Sequence, residues 1–308
     1  MATSTFTSTS THNRPRPAFQ DEPIPIYPDL PGKVAIVTGI GQFGDPAVED
    51  NWGNGAAAAF ALARSGVKVF GCDVDLAAAE RTKRRIEKHV PGAVVDVAVA
   101  DATDSASIEA FVRAVTQRHN GRVDILVNNV GGAHRGGPVE MPEELWDQEL
   151  TLNLKSVYLM CHFVLPVLTA QPAGGAVINI GSIAGLRYIG KPQAAYAAAK
   201  AGVHMFTKHT AVYYADKGVR INVVVPGLIS TPLVSRIAEY YGGDYDEFVR
   251  TRNAQVPTGE MGTSADVANA ILFLASSVAS RHMTGQELVI DGGMTSSTGS
   301  VNSGMAEK

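Results

Sequence analysis

Between residues 33 and 294 the chain repeats one rhythm, a short apolar run followed by an amphipathic helical stretch. The apolar runs predict strands at Lys33–Thr38, Lys68–Cys72, Val94–Ala100, Val123–Asn128, Ala176–Ile180, Arg220–Val225 and Glu287–Ile290. Helices are expected at Gly55–Ser65, Leu76–His89, Ser105–His119, Pro142–Ala170, Ala194–Lys217 and Ala265–Ser276. The strands are almost continuously apolar instead of alternating. Such strands are buried on both faces, which requires a parallel sheet covered by helices. The expected fold class is therefore α/β: a single doubly wound domain with a parallel sheet of about seven strands and helices on both faces. In such folds ligands bind at the carboxyl ends of the strands.

The flanks read differently. Residues 1–32 are rich in Ser, Thr and Pro, a composition that predicts a disordered arm, and residues 295–308 predict a flexible tail. The arm lacks the apolar stretch of a secretory signal, and a cytoplasmic location is expected. Arg14 and Arg16, with no acid in the first twenty residues, keep organelle targeting open as an alternative. With a formal net charge of -4 and no basic cluster, nucleic acid is not an expected partner. No apolar run reads as a membrane span. Cys72 and Cys161 have no metal or redox spacing and read as buried thiols; no metal site is expected.

After the first strand comes Gly39-Ile40-Gly41-Gln42-Phe43-Gly44, which matches G-x-G-x-x-G, a phosphate-binding turn. The residues that follow, including Pro46, do not begin a helix; a helix begins near Gly55. A ribose-binding acid is expected about 20 residues past the glycine turn. Asp73 lies 29 residues past Gly44 but 18 past Gly55. Gly39 is therefore read as the first turn glycine, with Gly53 and Gly55 opening the helix and residues 40–52 forming a loop insertion. The helix start offers free N–H groups and a positive dipole end to a pyrophosphate. Asp73 would accept from both ribose hydroxyls and repel a 2′-phosphate. No Lys or Arg lies between Gly39 and Arg64, so NAD is expected over NADP. Asp75 competes with Asp73 for the role of cap to the next helix. Asp101, ending the third strand, is placed for the adenine edge or for a helix cap.

Tyr196 and Lys200 stand four apart on an expected helix and so share a face. A cation about 4 Å from a phenol, at an effective dielectric of about 20, favours the phenolate by roughly 4 kcal/mol, about 3 pK units. That would bring the phenol into the range useful for acid–base chemistry. Asn153 lies inside a long apolar helix, where a buried amide needs a reason. Ser182 ends the fifth strand.

Taken in order, T-G…G-x-G, Asn128-Asn129-Val130-Gly131, Asn153, Ser182, Tyr196-x-x-x-Lys200 and Pro226-Gly227 resemble the short-chain dehydrogenase/reductase family, over roughly residues 33–294. The resemblance implies a Rossmann fold and reversible hydride transfer between a nicotinamide and a secondary alcohol or ketone. By matching position, Tyr196 would be the general acid/base and Ser182 its partner on the same oxygen. Lys200 would lower the Tyr196 pKa and hold the nicotinamide ribose. Asn153 would position a water beside that lysine. Asn128 and Gly131 would shape the cofactor-facing end of strand four, and Gly227, Ile229 and Thr231 would anchor the nicotinamide amide. Val130 departs from the Ala usual in N-N-A-G, and the 40–52 insertion leaves individual phosphate contacts open.

A segment at about 231–258 should form a substrate lid. With Leu233, Ile237, Tyr240, Tyr241, Tyr245 and Phe248, and Tyr188 nearby, it suits a cyclic or apolar small molecule; ordinary helix packing explains it equally well. Arg187, Arg236 and His134 offer an acid group a partner. The Ser/Thr-rich arm and the insertion have the look of specialised, or secondary, metabolism. The alternatives are an NADPH-dependent carbonyl or 3-ketoacyl reductase and, in another class, a dinucleotide-sensing scaffold. The family resemblance, with the surplus apolar surface of Thr151–Ala170 and Ala194–Lys217, implies a homodimer or homotetramer.

Overall fold

The computed structural model describes residues 18–42, 52–232, 234 and 244–298. Most of the insertion, Leu233, Arg236, Ile237, Tyr240 and Tyr241 of the expected lid, residues 1–17 of the arm and the end of the tail lie outside the described residues.

Seven parallel strands form one sheet in the order β3-β2-β1-β4-β5-β6-β9. They are β1 (Val34–Thr38), β2 (Lys68–Asp73), β3 (Val95–Val99), β4 (Ile125–Asn128), β5 (Gly175–Ile180), β6 (Val219–Pro226) and β9 (Glu287–Ile290). Two-residue strands β7 (Ile229–Ser230) and β8 (Gly262–Thr263) pair apart from it. The sheet order reverses at β1, which pairs with β2 on one side and β4 on the other. That switch point opens the crevice at the carboxyl ends of β1 and β4.

One face carries α1 (Asn54–Arg64), α2 (Leu76–His89) and α8 (Ser264–Ala275). The other carries α3 (Ser105–Arg118), α5 (Ser156–Ala170) and α6 (Ala194–Tyr214). Helix α4 (Glu143–Leu150) packs against α6, and α7 (Tyr245–Asn253) precedes α8 in the chain. The predicted strands and helices all appear, with ends shifted by a residue or two. Helix α1 is Ala-rich because it is enclosed: Gly55 through Ala63 are all buried, packed against the sheet and α8.

The expected helix at 142–170 forms, but contrary to the reading that no apolar run has membrane-spanning length, it passes that test. Glu143–Ala170 is continuous helix, and an 18-residue window has a mean hydropathy of 1.3, enough in length and composition for a membrane span. Here its Val157, Met160, Val164 and Leu168 are buried in the core of the second face.

The arm also departs from expectation. From Ala18 onward it is docked, not disordered. Phe19 and Leu30 are buried, and Phe19 meets Phe60 of α1 edge-on with centroids 5.2 Å apart. Trp52, at the end of the insertion, stacks 4.8 Å from Phe60, with the Arg85 guanidinium 3.7 Å from its ring. Asp29 fastens the arm to the end of α8, accepting from Ser276 Oγ at 2.6 Å, Ser277 N at 2.7 Å and Lys33 Nζ at 2.8 Å. Burial works against the Asp29 charge, but these bonds prevail and hold its carboxyl well below the usual range. Composition missed this because a few anchors, Phe19, Leu30 and Asp29 among them, hold an otherwise polar segment. Phe19→Ala is expected to destabilise the fold by about 3 kcal/mol, as for a buried Phe truncation, read as a lower urea midpoint at unchanged m-value.

Candidate active site

The glycine turn is built by close approach. Gly39 has φ +66°, a conformation that suits glycine. A Cβ on Gly55 would lie 2.2 Å from the Gly39 carbonyl oxygen and 2.4 Å from Asn129 Nδ2. Asn129 ties β4 to the turn, donating to the carbonyls of Thr38 at 3.1 Å and Gly39 at 3.0 Å. Ile40 fills the space beside Gly71, where any side chain would collide. Gly53 is the N-cap of α1 and has open space around it. Among the described residues no side chain caps α1 and no acid stands in its first turn, so its first N–H groups have no described carboxylate partner. These features fit a dinucleotide pyrophosphate.

Asp73 sits where β2 ends. Its Oδ2 accepts from Gly41 N at 2.8 Å and its Oδ1 from Asp75 N at 3.1 Å. Asp75, not Asp73, caps α2. One assumption behind the NAD preference does not survive. Arg81 reaches the Gln42 carbonyl at 3.3 Å and Arg85 the Gln42 side chain at 3.2 Å, so two cations stand beside the turn. They come from α2, beyond the window in which a phosphate-binding residue was sought. The Asp101 carboxylate turns back onto Thr103, accepting from its N–H at 2.8 Å and hydroxyl at 2.7 Å; α3 is capped by Asp104.

Four catalytic candidates come together at the ends of β4 and β5. Ser182 caps a short 3₁₀ turn, Ile183–Gly185, its Oγ accepting from Ala184 N at 3.1 Å, and it hydrogen-bonds Tyr196. Lys200 is buried and its Nζ donates to the Ile180 carbonyl at 2.8 Å, with the Tyr196 ring centroid 5.7 Å away. Asn153 is fully buried in a π-helical turn, Thr151–Lys155, between α4 and α5. Its amide bridges to Gly132, accepting from the N–H at 3.1 Å and donating to the carbonyl at 2.8 Å. A Cβ on Gly131 would lie 2.8 Å from Asn153 Oδ1 and 3.2 Å from Lys200 Nζ, so Gly131 is the gap across which these two groups approach.

The electrostatics differ from expectation. Burial raises the Tyr196 pKa above its ordinary value; the Ser182 hydrogen bond pulls it down and the Glu149 charge pushes it further up. Lys200 does not bring the phenol towards neutrality. Its ammonium is itself desolvated, which lowers its pKa to about 8 against the opposing pull of Glu149, and it is directed at a backbone carbonyl. The assumed charge pair at 4 Å left out both burial and the competing acceptor.

Asn128 is also placed differently. Its side chain is buried, donating to Asn179 Oδ1 at 2.8 Å, and Asn179 donates to Thr207 Oγ1 at 2.8 Å. This polar chain ties β4, β5 and α6 together below the site, so Asn128 does not present its amide to the crevice. Gly227, after β6, packs against Asp291, where a Cβ would come within 2.7 Å of its Cβ. Ile229 lies in β7 and is buried with Thr231.

Two groups were not anticipated. His204 is buried beside Ser182, its Nε2 3.4 Å from Ser182 N. Tyr196, Lys200, His204 and Lys208 recur every fourth residue, a stripe visible in the letters. Glu149 is buried one turn before Asn153; because Glu143, Glu144 and Asp147 share its helix, nothing in the letters singles it out. Beside the catalytic cluster lies a cavity of about 240 Å³ lined by Gly136, Ala184, Tyr188, Lys191, Gln193 and Ala197. Burial and the charges of Arg252 and Arg135 lower Lys191 to about 8. Tyr245, expected in the lid, begins α7 and is exposed, and Phe248 on the same helix lies 5.2 Å from the Arg252 guanidinium.

A family profile described as enoyl-(acyl carrier protein) reductase matches residues 48–295. A 3-oxoacyl-[acyl-carrier-protein] reductase FabG of Thermotoga maritima is 35% identical over 265 residues, 86% of this chain and 98% of that protein. A levodione reductase of Leifsonia aquatica is 34% identical over 265 residues, 85% of this chain and 94% of the relative. The crystal structure of a putative short-chain dehydrogenase/reductase from Burkholderia xenovorans superimposes with a TM-score of 0.81 at 47% identity, covering 87% of this chain and 98% of that one. With the sheet order, the glycine turn and the Ser–Tyr–Lys cluster on the same crevice, these matches place the chain in the short-chain dehydrogenase/reductase family, whose members are NAD(P)-dependent oxidoreductases.

Proposed function

We propose that the protein interconverts a secondary alcohol and its ketone, most suitably a cyclic or apolar small molecule, with Tyr196 as acid/base. The observation that carries this is the cluster itself: Ser182 hydrogen-bonds Tyr196, their near neighbours Ala184 and Ala197 line a cavity, and a buried Lys200 lies behind the ring. In reduction Tyr196 gives its proton to the carbonyl oxygen while Ser182 holds that oxygen; in oxidation Tyr196 takes the hydroxyl proton. The nicotinamide supplies or accepts the hydride. Gly39, Gly53, Gly55 and Asp73 would hold the adenosine end, with Gly131, Gly227, Ile229 and Thr231 at the nicotinamide end. The raised Tyr196 pKa keeps the phenol protonated at neutrality in the free enzyme, which suits it to act as an acid. The two named relatives are both reductases, which supports the same direction.

Asp73 supports NAD, since its carboxylate at the end of β2 would accept from ribose hydroxyls. Arg81 and Arg85 support the second reading, NADP, through a 2′-phosphate. The test is a screen of cyclic, acyclic and carboxylated ketones with NADH and NADPH, following loss of reduced cofactor absorbance. Turnover of cyclic ketones with NADH is expected, and Asp73→Ala should lower its kcat/KM by about tenfold, one lost charge-assisted hydrogen bond. No turnover with any ketone or alcohol would defeat the assignment. The carboxylated ketones probe Lys191 and Arg187 at the cavity wall. A homodimer or homotetramer is part of this reading: Tyr158 of α5 and Met205, Val212 and Tyr213 of α6 are exposed apolar groups that a second copy would cover.

A further inference from the structure

A fully enclosed carboxylate stands behind the catalytic cluster, and nothing in the proposed hydride transfer uses it. Glu149, near the end of α4, is 1% exposed. An acid is almost never buried so deeply without partners. Its Oε1 accepts from the backbone N–H of His134 at 2.9 Å and lies 2.5 Å from His134 Nδ1. Its Oε2 is 3.4 Å from Asn153 Nδ2, and the Glu149 carbonyl accepts from the same amide at 3.0 Å. Asn153 Oδ1 in turn faces Lys200 Nζ across the gap at Gly131.

The charged groups around Glu149 are few. Helix α6 contributes Tyr196 and Lys200, and the loop after β4 contributes His134, whose side chain is 56% exposed, and the exposed Arg135. Asp147 and Lys155 flank Glu149 on its own helical run, and both are exposed. Among these, Lys200 is the buried cation.

We propose that Glu149 is the counter-ion of the catalytic cluster, a positioning residue that keeps Lys200 charged and is itself locked in place by His134. The inference rests on the hydride-transfer reading for the role of Lys200, but its electrostatic core does not. Burial drives Lys200 towards its neutral form, and the Glu149 charge opposes this. The same charge opposes ionisation of Tyr196. Glu149 therefore sets the order in which the pair titrates: Lys200 stays an ammonium to higher pH, and Tyr196 stays a phenol. His134 meets the carboxylate with its backbone N–H, which donates, and with its ring Nδ1 alongside, so the group does not swing towards solvent.

Glu149→Gln preserves shape and removes the charge. Lys200 should then lose its proton at lower pH, and the alkaline limb of kcat/KM for ketone reduction should move down by about one pH unit, roughly a fivefold loss at the wild-type midpoint and about tenfold well above it. Glu149→Asp should restore most of that shift. An activity-independent measurement runs beside it on the cofactor-free protein. The Lys200 pKa is lowered on folding, so the unfolded chain binds more protons than the fold from about pH 8 up to the ordinary lysine range, and stability rises with pH there. Without Glu149 that window extends to lower pH. The melting-temperature deficit of Glu149→Gln should be largest at and below neutral pH, shrink as the pH rises towards about 8, and nearly vanish above it. A deficit equal at every pH, with a pH–rate profile of unchanged shape, would reduce Glu149 to a packing residue and overturn the proposal. If the melting behaviour follows prediction but no substrate turns over, the counter-ion role stands and the hydride-transfer reading fails.

Discussion

Tyr196→Phe is expected to lower kcat for ketone reduction by roughly 10²–10⁴-fold, the contribution of a positioned general acid. The phenol is the one group placed to meet a carbonyl oxygen that also has a hydroxyl partner, Ser182. Phe keeps the ring and its packing and deletes only the oxygen, so no cavity forms and the fold should be retained. The ring centroid stays 5.7 Å from the Lys200 ammonium, whose bond to the Ile180 carbonyl is independent of the phenol. Dinucleotide binding, measured by calorimetry, should change little. Stopped-flow measurement of a single turnover isolates the chemical step. A variant that retained wild-type turnover would remove Tyr196 from the mechanism. One that lost cofactor binding in parallel would make it a structural residue.

Much of this architecture was legible in the letters, for a physical reason. A strand buried on both faces has to be apolar along its whole length, as in VAIVT and AVINI, and that pattern separates a parallel sheet from other arrangements. The grouping of Ser182, Tyr196, Lys200 and Asn153 was what the family resemblance implied; spacing by itself gave only the shared helix face of Tyr196 and Lys200. What could not be read depends on partners distant in sequence. Phe19 meets Phe60, and Asp29 meets Ser276, through contacts that composition does not encode. Arg81 reaches Gln42 because α2 crosses back over the turn. Asn128 turns inward because Asn179 and Thr207 offer a chain of partners. The electrostatic error has the same origin. Spacing showed that Tyr196 and Lys200 share a face, but burial, a backbone carbonyl and Glu149 set their proton affinities.

Gly55→Ala should be the most damaging single methyl at the glycine turn. Its Cβ would stand 2.2 Å from the Gly39 carbonyl oxygen, 2.4 Å from Asn129 Nδ2 and 3.1 Å from the Gly39 carbonyl carbon. Two of the three are backbone atoms, so no side-chain rotation relieves the collision. Helix α1 cannot retreat either, since Gly55 through Ala63 are all buried against the sheet and α8. The turn is held from the far side by Asn129, which donates to both Thr38 and Gly39. The strain therefore falls on the turn and the start of α1 together, at the place proposed for the pyrophosphate. Overpacking of this kind costs about 1–3 kcal/mol of stability, and the displaced N–H groups should weaken dinucleotide binding by about 100-fold. Gly53→Ala, at the N-cap of the same helix two residues before Gly55 and with open space around its Cα, separates the two effects. It should leave the melting temperature nearly unchanged, while a methyl facing the crevice would still hinder the dinucleotide. Equal melting temperatures for Gly55→Ala and the wild type would show that the turn yields more readily than its packing indicates.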